Sequence, residues 1–446
     1  MPNVFDLIVR GGRCFTPMGL IEADLGMRDG RFAAIGALTD AKSVARIDAR
    51  GLTVLPGIID TQVHFREPGA EHKEDLATGT AGAALGGVTT IFEMPNTKPL
   101  TLTADDLADK LRRAKGRAWV DHAFFMGGSA ANVDHLPTLE RLPGCCGVKV
   151  FMGSSTGDLL VEDDETLSRI VANGVRRMAV HAEDEMRLKE RRHLVEGGAP
   201  VTMHPEWRDA ETALRATQRL IRLAREHRRK VHVLHITTAE EMDFLAQHKD
   251  VATVETTPQH LTLAAPECYE RLGTFAQMNP PIRDARHRDA LWRAVVAGVV
   301  DVLGSDHAPH TRAEKGEPYP KSPSGMPGVQ TTVPLMLNHV NEGRLTLARF
   351  VDLMCSGPQR LYDIAGMGRI ALGYDADLTI VDLAAKKKIE NAWIASKSGW
   401  TPFDGMAVTG WPVATIVRGR TVMRDGQLIG QPAGQPVKFA DCLPTG

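Results

Sequence analysis

Polar residues of the types that bind metals follow a series of apolar runs in the middle of the chain. Five of them come in order, each within or just beyond a run rich in valine, isoleucine and leucine: His64, Lys149, His181, His235 and Asp306. Neutral imidazoles bind zinc well, and a carboxylate supplies charge and accepts a proton. This set of residue types predicts a hydrolase that uses a divalent metal.

Lys149 is the exception in this set because a free ammonium group repels a metal ion. It fits a metal site if CO₂ has converted its amine to a carbamate, which is anionic and can bridge two metals. A single histidine at the end of a strand is more often a hydrogen-bonded core residue, and a strand lysine usually extends to solvent or pairs with an acid. Five such residues in order predict one shared site.

The segments that must position these residues alternate between strand-like and helix-like patterns. The apolar runs are 52–59, 88–94, 147–151, 178–181, 231–236 and 299–304, and helical spacing recurs in 107–115, 210–225 and 286–296. Such alternation predicts an α/β fold with a parallel sheet covered by helices. Periodicity alone does not separate a closed barrel from an open sheet. The chemistry at successive strand ends favours a (β/α)₈ TIM-like barrel, in which those ends meet at one mouth.

Both ends of the chain show short strands joined by turns instead. Segments 5–9, 21–27 and 32–35 resemble segments 377–381, 413–417 and 421–423 in this respect. We expect them to pair into one small β-sandwich domain built from both termini. The expected division is therefore 1–53 with 372–446 for this domain, and 54–371 for the metal-dependent barrel.

The bulk composition is typical of a globular enzyme. Of 446 residues, 43% are hydrophobic and 24% are charged, and the formal net charge is −2, which argues against nucleic acid or an anionic membrane as a partner. No apolar run approaches the roughly 18 residues of a membrane span, and the start lacks the pattern of a signal peptide. The six sparse cysteines predict reduced thiols in a cytoplasmic protein.

Four motifs are more specific than any single residue. They are HFREPG at 64–69, MPNT at 94–97, NPPIR at 279–283 and SDHAPH at 305–310. In this order they resemble the amidohydrolase superfamily and, within it, the dihydroorotases of the longer, bacterial type. The likeness covers nearly the whole chain.

The resemblance implies a set of metal ligands. His64 and Asp306 would bind the more buried metal, a carbamylated Lys149 would bridge two metals, and His181 and His235 would hold the second. The implied cofactor is one or two Zn²⁺ ions, with another divalent metal as the alternative. Asp306 would also be catalytic, since it would take a proton from the attacking water and return it to the leaving nitrogen.

The resemblance also implies how the substrate is bound. Arg66, Asn96 and His310 match positions that bind the substrate carboxylate, and Asn279 matches one that contacts the pyrimidine ring. Arg66 has a physical reason as well, because a guanidinium can donate two parallel hydrogen bonds to a carboxylate.

The sequence departs from the family pattern at position 62. The pattern has two histidines one residue apart, and here the first is Gln62. Side chains two apart on a strand face the same side, so the geometry is kept but one nitrogen donor is lost. An amide oxygen is a neutral donor better suited to hard cations than to zinc. Three outcomes stay open: Gln62 binds metal through oxygen, the enzyme works with one metal at the site of Lys149, His181 and His235, or activity is lost.

Three functions are consistent with this sequence. The first is a dihydroorotase that interconverts dihydroorotate and N-carbamoyl-aspartate by metal-activated water, in pyrimidine biosynthesis. The second is another cyclic amidase, acting on a hydantoin- or allantoin-like ring. The third is a non-catalytic, dihydroorotase-like partner of aspartate transcarbamoylase. The resemblance further implies a small-molecule substrate and a homodimer.

Overall fold

Strands at both ends of the chain, and strands alternating with helices between them, make up the computed structural model, which describes residues 4–155 and 159–442. The strands are β1 (Val4–Thr16), β2 (Gly19–Arg28), β3 (Arg31–Gly36), β4 (Lys42–Asp48), β5 (Thr53–Pro56), β6 (Ile58–Val63), β7 (Val88–Glu93), β8 (Asp121–Gly127), β9 (Cys145–Phe151), β10 (Met178–His181), β11 (Val231–Val233), β12 (Ala252–Thr256), β13 (Val302–Leu303), β14 (Leu378–Lys388), β15 (Ala407–Val417), β16 (Arg420–Arg424) and β17 (Gln427–Leu428).

The helices lie mostly between the barrel strands. They are α1 (Leu76–Leu85), α2 (Ala104–Ala114), α3 (Leu136–Leu139), α4 (Asp164–Ala172), α5 (Glu185–Arg191), α6 (His204–Trp207), α7 (Ala210–Glu226), α8 (Ala239–Ala246), α9 (Pro258–Thr262), α10 (Glu267–Leu272), α11 (Ala285–Ala297), α12 (Arg312–Lys315), α13 (Thr332–Asn341), α14 (Leu347–Val351) and α15 (Gly357–Tyr362). None of these described helices is long and apolar enough to cross a membrane.

Strands β6 to β13 form the barrel. Each pairs in parallel with the strand that follows it in the chain, so the sheet order is the sequence order. The barrel closes between β13 and β6, because the His64 amide donates to the His307 carbonyl at 2.7 Å and Val63 bridges His307 in parallel. The prediction of a (β/α)₈ TIM-like barrel is confirmed.

The helices bury one face against this barrel, as their sequence spacing predicts. Helix α7 begins after Asp209, whose side chain accepts a hydrogen bond from the Thr212 amide. A carboxylate at this position satisfies an amide that has no partner within the helix. The buried face of α7 carries apolar residues three and four apart: Ala213, Ala216, Leu220, Ile221 and Ala224.

A second sheet contains strands from both ends of the chain. Its order is β17-β16-β15-β14-β5-β1-β2-β3, with β4 also paired to β1. Strand β5 from the amino-terminal part is antiparallel to β14 from the carboxyl-terminal part, and this pairing joins the two parts. The prediction of a small β unit built from both termini is confirmed, while the domain boundaries at 53/54 and 371/372 stay a prediction.

The apolar run at 52–59 does not form the single strand that its composition predicts. It divides at Gly57 into β5, in the terminal sheet, and β6, in the barrel. A Cβ atom at Gly57 would lie 2.6 Å from Asp377 Cβ and Thr89 Oγ1. The glycine therefore lets the chain pass closely between the two sheets.

The cysteines form no disulfide among the described residues. All six are free thiols, and Cys145 and Cys146 are buried in β9. Burial raises the pKa of Cys145 to about 11, so this thiol stays protonated near neutral pH.

Candidate active site

The carboxyl ends of the barrel strands surround a small cavity. Eight of the residues predicted from the sequence line it: Gln62, His64, Arg66, Asn96, His181, His235, Asn279 and Asp306. Lys149 and His310 are fully buried, the first inside β9 and the second next to Arg66.

Three of the lining residues have a left-handed backbone conformation. The φ angles are 64° at Arg66, 37° at His235 and 44° at Asp306. Residues other than glycine rarely adopt this backbone conformation, and it costs on the order of 1–3 kcal/mol for each residue. All three lie just beyond a strand end, where the turn directs the side chain into the cavity.

His64 and Asp306 form the first pair of candidate metal ligands. His64 Nε2 lies 3.3 Å from Asp306 Oδ1, and its Nδ1 lies 2.8 Å from Asn96 Oδ1. Burial lowers the pKa of His64, so its imidazole is neutral near pH 7. The side-chain amide of Gln62 donates from Nε2 to the same Asp306 oxygen at 3.0 Å.

His181 and His235 form the second pair. His181 Nδ1 lies 3.1 Å from His235 Nε2, and the two rings are nearly perpendicular. Lys149 is completely buried, its Nζ lies 4.2 Å from the centre of the Phe151 ring, and this amine has no hydrogen-bond partner among the described residues. Burial lowers the pKa of Lys149 to about 7, against the opposing charges of Asp306 and Glu255.

A buried carboxylate that the sequence analysis did not identify fixes the orientation of His181. Glu183 Oε2 lies 2.9 Å from His181 Nε2 and accepts a hydrogen bond from it, so the lone pair of His181 is on Nδ1. Arg208 donates to both oxygens of Glu183, at 2.6 and 3.0 Å. Although burial opposes ionisation, the Arg208 charge and the His181 hydrogen bond hold the pKa of Glu183 well below its usual value.

Arg66 places a positive charge at one side of the cavity, next to a neutral His310. Arg66 Nε donates to the Pro309 carbonyl at 3.2 Å, and this carbonyl is its only oxygen acceptor among the described residues. His310 accepts at Nδ1 from Lys73, at 3.1 Å, and donates from Nε2 to the Ser324 carbonyl, at 3.0 Å. Burial lowers the pKa of Arg66 to about 10, so its guanidinium stays charged near neutral pH.

His204 holds the side chain of Asn279. Its Nε2 is 3.0 Å from both Asn279 Oδ1 and the Met278 carbonyl, and its Nδ1 is 3.2 Å from the Tyr319 hydroxyl. The sequence gives no sign of this role, because His204 does not follow an apolar run.

Comparison with known proteins identifies the family. The amidohydrolase family matches residues 53–422, which is most of the chain. This chain belongs to the amidohydrolase family.

Similar amidohydrolases differ in the substrates that their names state. The chain is 34% identical to a dihydroorotase of Methanosarcina mazei, over 96% of each chain. It is also 34% identical to an L-hydantoinase of Paenarthrobacter aurescens, over 97% of this chain and 98% of that one, and to an allantoinase of Rubrobacter xylanophilus, over 98% of each.

Solved structures agree with this assignment. The L-hydantoinase (dihydropyrimidinase) from Arthrobacter aurescens superposes with a TM-score of 0.92 at 32% identity, covering 97% of this chain and 99% of that one. The relatives are cyclic amide hydrolases, and this amidohydrolase is accordingly an enzyme of that class with a small-molecule substrate. The predicted resemblance to dihydroorotases is confirmed. An L-hydantoinase and an allantoinase are similar to this chain to the same degree.

Amidohydrolases generally bind a divalent metal, and the second pair of ligands fits one. Two nitrogens on a tetrahedral zinc lie about 3.3 Å apart, close to the 3.1 Å between His181 Nδ1 and His235 Nε2. Among the described residues, no three His, Cys, Asp or Glu side chains converge on one point. A third protein donor for this pair would therefore be of another residue type, and the candidate is the Lys149 amine, which has no hydrogen-bond partner among the described residues.

Proposed function

We propose that this amidohydrolase opens the cyclic amide of dihydroorotate to N-carbamoyl-aspartate and catalyses the reverse ring closure. The observation that best supports this substrate is the Arg66 guanidinium. It lines the cavity with a full charge, and only its Nε has an oxygen acceptor among the described residues. A substrate carboxylate would accept hydrogen bonds from the remaining donors.

The residues around Arg66 favour an anion as well. Lys73 donates a hydrogen bond to His310 Nδ1, and His310 Nε2 donates to the Ser324 carbonyl. Neither ring nitrogen of His310 is therefore available to accept a hydrogen bond from the Arg66 guanidinium. Asn96 lines the same cavity beside His64. Hydantoin and allantoin rings carry no carboxylate, and they would leave the buried Arg66 charge without an anionic partner, which is unfavourable in a desolvated site.

The metal-binding part of the proposal concerns His181, His235 and Lys149, with His64 and Asp306 as the other candidate ligands. Lys149 Nζ would form a bond to the carbon of dissolved CO₂ and release a proton, which gives an anionic carbamate. The amine can do this because burial lowers its pKa to about 7. When bound, the metal, which we propose to be Zn²⁺, lowers the pKa of water and polarises the amide carbonyl.

Asp306 is the proposed acid–base residue. The Gln62 amide and His64 hold Oδ1 in place. The second carboxylate oxygen then takes the proton of the attacking water and delivers it to the amide nitrogen that leaves the ring.

A homodimer and an association with aspartate transcarbamoylase are further proposals, supported by the similarity to dihydroorotases alone.

The test is turnover after reconstitution with Zn²⁺ and bicarbonate, compared for dihydroorotate, hydantoin and allantoin. In Arg66→Lys, a point charge replaces the two-donor guanidinium, so we expect kcat/KM for dihydroorotate to fall about 10- to 100-fold. Turnover of an uncharged ring should change little. Arg13→Lys, at an exposed position on β1, is the matched control.

A second candidate is a hydantoinase, favoured by the TM-score of 0.92 with the L-hydantoinase structure. Faster turnover of hydantoin than of dihydroorotate, unaffected by Arg66→Lys, would support this candidate and contradict the dihydroorotase proposal. Absence of any turnover by folded, zinc-loaded protein would contradict both.

A further inference from the structure

The two pairs of candidate ligands in the cavity are unequal. His181 and His235 offer two imidazole nitrogens 3.1 Å apart, and the third group is the Lys149 amine, which has no hydrogen-bond partner among the described residues. His64 and Asp306 offer one imidazole nitrogen and one carboxylate oxygen, 3.3 Å apart. Here the third side chain is Gln62, which is a neutral amide.

The orientation of the Gln62 amide follows from its neighbour. Nε2 donates to Asp306 Oδ1 at 3.0 Å. The reversed amide would place Oε1 against the carboxylate, and two acceptors repel each other. Oε1 therefore points away from Asp306, and it is buried with no hydrogen-bond partner among the described residues.

Metal binding through Gln62 would disturb this arrangement. A metal held by His64 and Asp306 would lie beside Asp306 Oδ1, the atom to which Gln62 presents Nε2, and an amide nitrogen has no lone pair to give. To bring Oε1 to that point, the amide would have to rotate and give up its hydrogen bond to a charged carboxylate, which is among the stronger protein hydrogen bonds. The donor gained would be a neutral oxygen, which binds zinc less well than an imidazole nitrogen does. The remaining ligands, His64 and Asp306, are two side chains where a closed zinc site has four.

We infer that this chain retains a single divalent metal, on His181, His235 and Lys149, and that Gln62 makes the His64–Asp306 pair a weak, exchangeable metal site. The Gln62 amide instead orients the Asp306 carboxylate. This inference rests on the proposed function only for the presence of a metal, and it does not depend on which cyclic amide is the substrate.

Metal content tests the stoichiometry without any substrate. Wild-type and Gln62→His proteins are incubated with excess Zn²⁺ and bicarbonate, passed over a chelating resin, and measured by plasma mass spectrometry. We expect one zinc per chain in the wild type and two in Gln62→His. Gln247→His adds an imidazole at an exposed helix end and should retain one.

Competition with a chromophoric chelator measures the weaker site. We expect the dissociation constant of the second zinc to be at least about tenfold lower in Gln62→His than in the wild type, because the variant regains a nitrogen ligand and the amide need not rotate. A wild-type chain that holds two zincs as tightly as Gln62→His would overturn the inference.

Two alanine variants locate the retained metal. His235→Ala should lose it, and His64→Ala should keep it. Circular dichroism confirms that each variant is folded, and the visible spectrum of the Co²⁺-loaded protein is the second measurement, which should be the same in His64→Ala and the wild type. Loss of the metal from folded His64→Ala, or a changed Co²⁺ spectrum, would overturn the assignment.

The two proposals fail separately. A chain that retains one zinc on His181 and His235 but does not hydrolyse dihydroorotate contradicts the proposed function and supports the inference. A chain that hydrolyses dihydroorotate with two firmly held zincs overturns the inference and supports the proposed function.

Discussion

At the scale of single residues, the position of the proton on His204 fixes the orientation of the Asn279 side-chain amide, which lines the cavity. Both oxygens next to Nε2 are acceptors, so Nε2 carries the proton and Nδ1 accepts from the Tyr319 hydroxyl. Burial lowers the pKa of His204 to about 3, which keeps this imidazole neutral at every working pH. Asn279 Oδ1 thereby accepts from His204, and we propose that the amino group of Asn279 donates to a substrate carbonyl.

Replacing His204 should therefore weaken substrate binding. In His204→Ala we expect KM for dihydroorotate to rise about tenfold with a smaller change in kcat, because the positioning of Asn279 serves the bound substrate as well as the transition state. Tyr319→Phe removes only the hydrogen bond to Nδ1 and should have a smaller effect. Steady-state kinetics measure the split, and thermal unfolding checks the fold. A fall in kcat at constant KM would contradict this role.

Only some of the residues around the cavity could be predicted from the sequence. The lining histidines could be predicted because each lies at or just beyond the end of an apolar run that reads as a buried strand. His204 and Arg208 could not, since their partners lie 75 and 25 residues away in the chain. Glu183 could have been predicted from its spacing, because side chains two residues apart in extended chain lie on the same side, and an acid there can reach His181.

At the scale of elements, the start of helix α7 carries an ion pair as well as a cap. Asp209 accepts from Thr212 at 2.9 Å and from the guanidinium of Arg187 at 2.6 and 2.9 Å. Although burial acts in the opposite direction, these hydrogen bonds lower the pKa of Asp209 to about 2. A lowered pKa means that the carboxylate stabilises the folded state above its unfolded pKa of about 4.

The contribution of Asp209 to the free energy of unfolding should depend on pH. Asp209→Ala should lower the free energy of unfolding by about 1 kcal/mol at pH 7, mostly through loss of the cap, since a solvent-screened ion pair adds little. Asp209→Asn should keep most of the cap. The difference between wild type and Asp209→Asn should shrink as pH falls from about 4 towards 2. Urea unfolding at pH 7 and pH 3 measures it, and a difference that grows on acidification would contradict the sign.

Strand composition predicts most of the elements but not where one strand ends and the next begins. The run at 52–59 is apolar throughout and reads as one strand, yet Gly57 divides it between two sheets. The Gly57 amide donates to the Asp377 carbonyl at 2.8 Å, a residue 320 positions away. Pro56-Gly57 was the available signal, but its consequence depends on a long-range contact.

At the scale of the whole molecule, the carboxyl-terminal segment covers the end of the barrel opposite the cavity. The His122 amide donates to the Gln435 carbonyl at 3.1 Å, and Val437 donates to His122 at 2.9 Å. Phe439 then packs edge-on against Phe92 inside the barrel, with ring centres 5.8 Å apart. The chain is thus tied to the barrel at its last described residues as well as through the terminal sheet.

Removing the Phe439 ring should destabilise the enzyme without changing its chemistry. Phe439 is buried, and a phenylalanine-to-alanine change in a core costs about 3–5 kcal/mol of the free energy of unfolding. Met18→Ala is the matched control, since Met18 is 90% exposed and should change stability by less than about 0.5 kcal/mol. Urea and thermal unfolding measure both variants. Because Phe439 lies at the other end of the barrel from Asp306, kcat and zinc content should stay at wild-type values below the unfolding transition. A loss of zinc from folded Phe439→Ala would show that the barrel transmits strain from its covered end to the cavity.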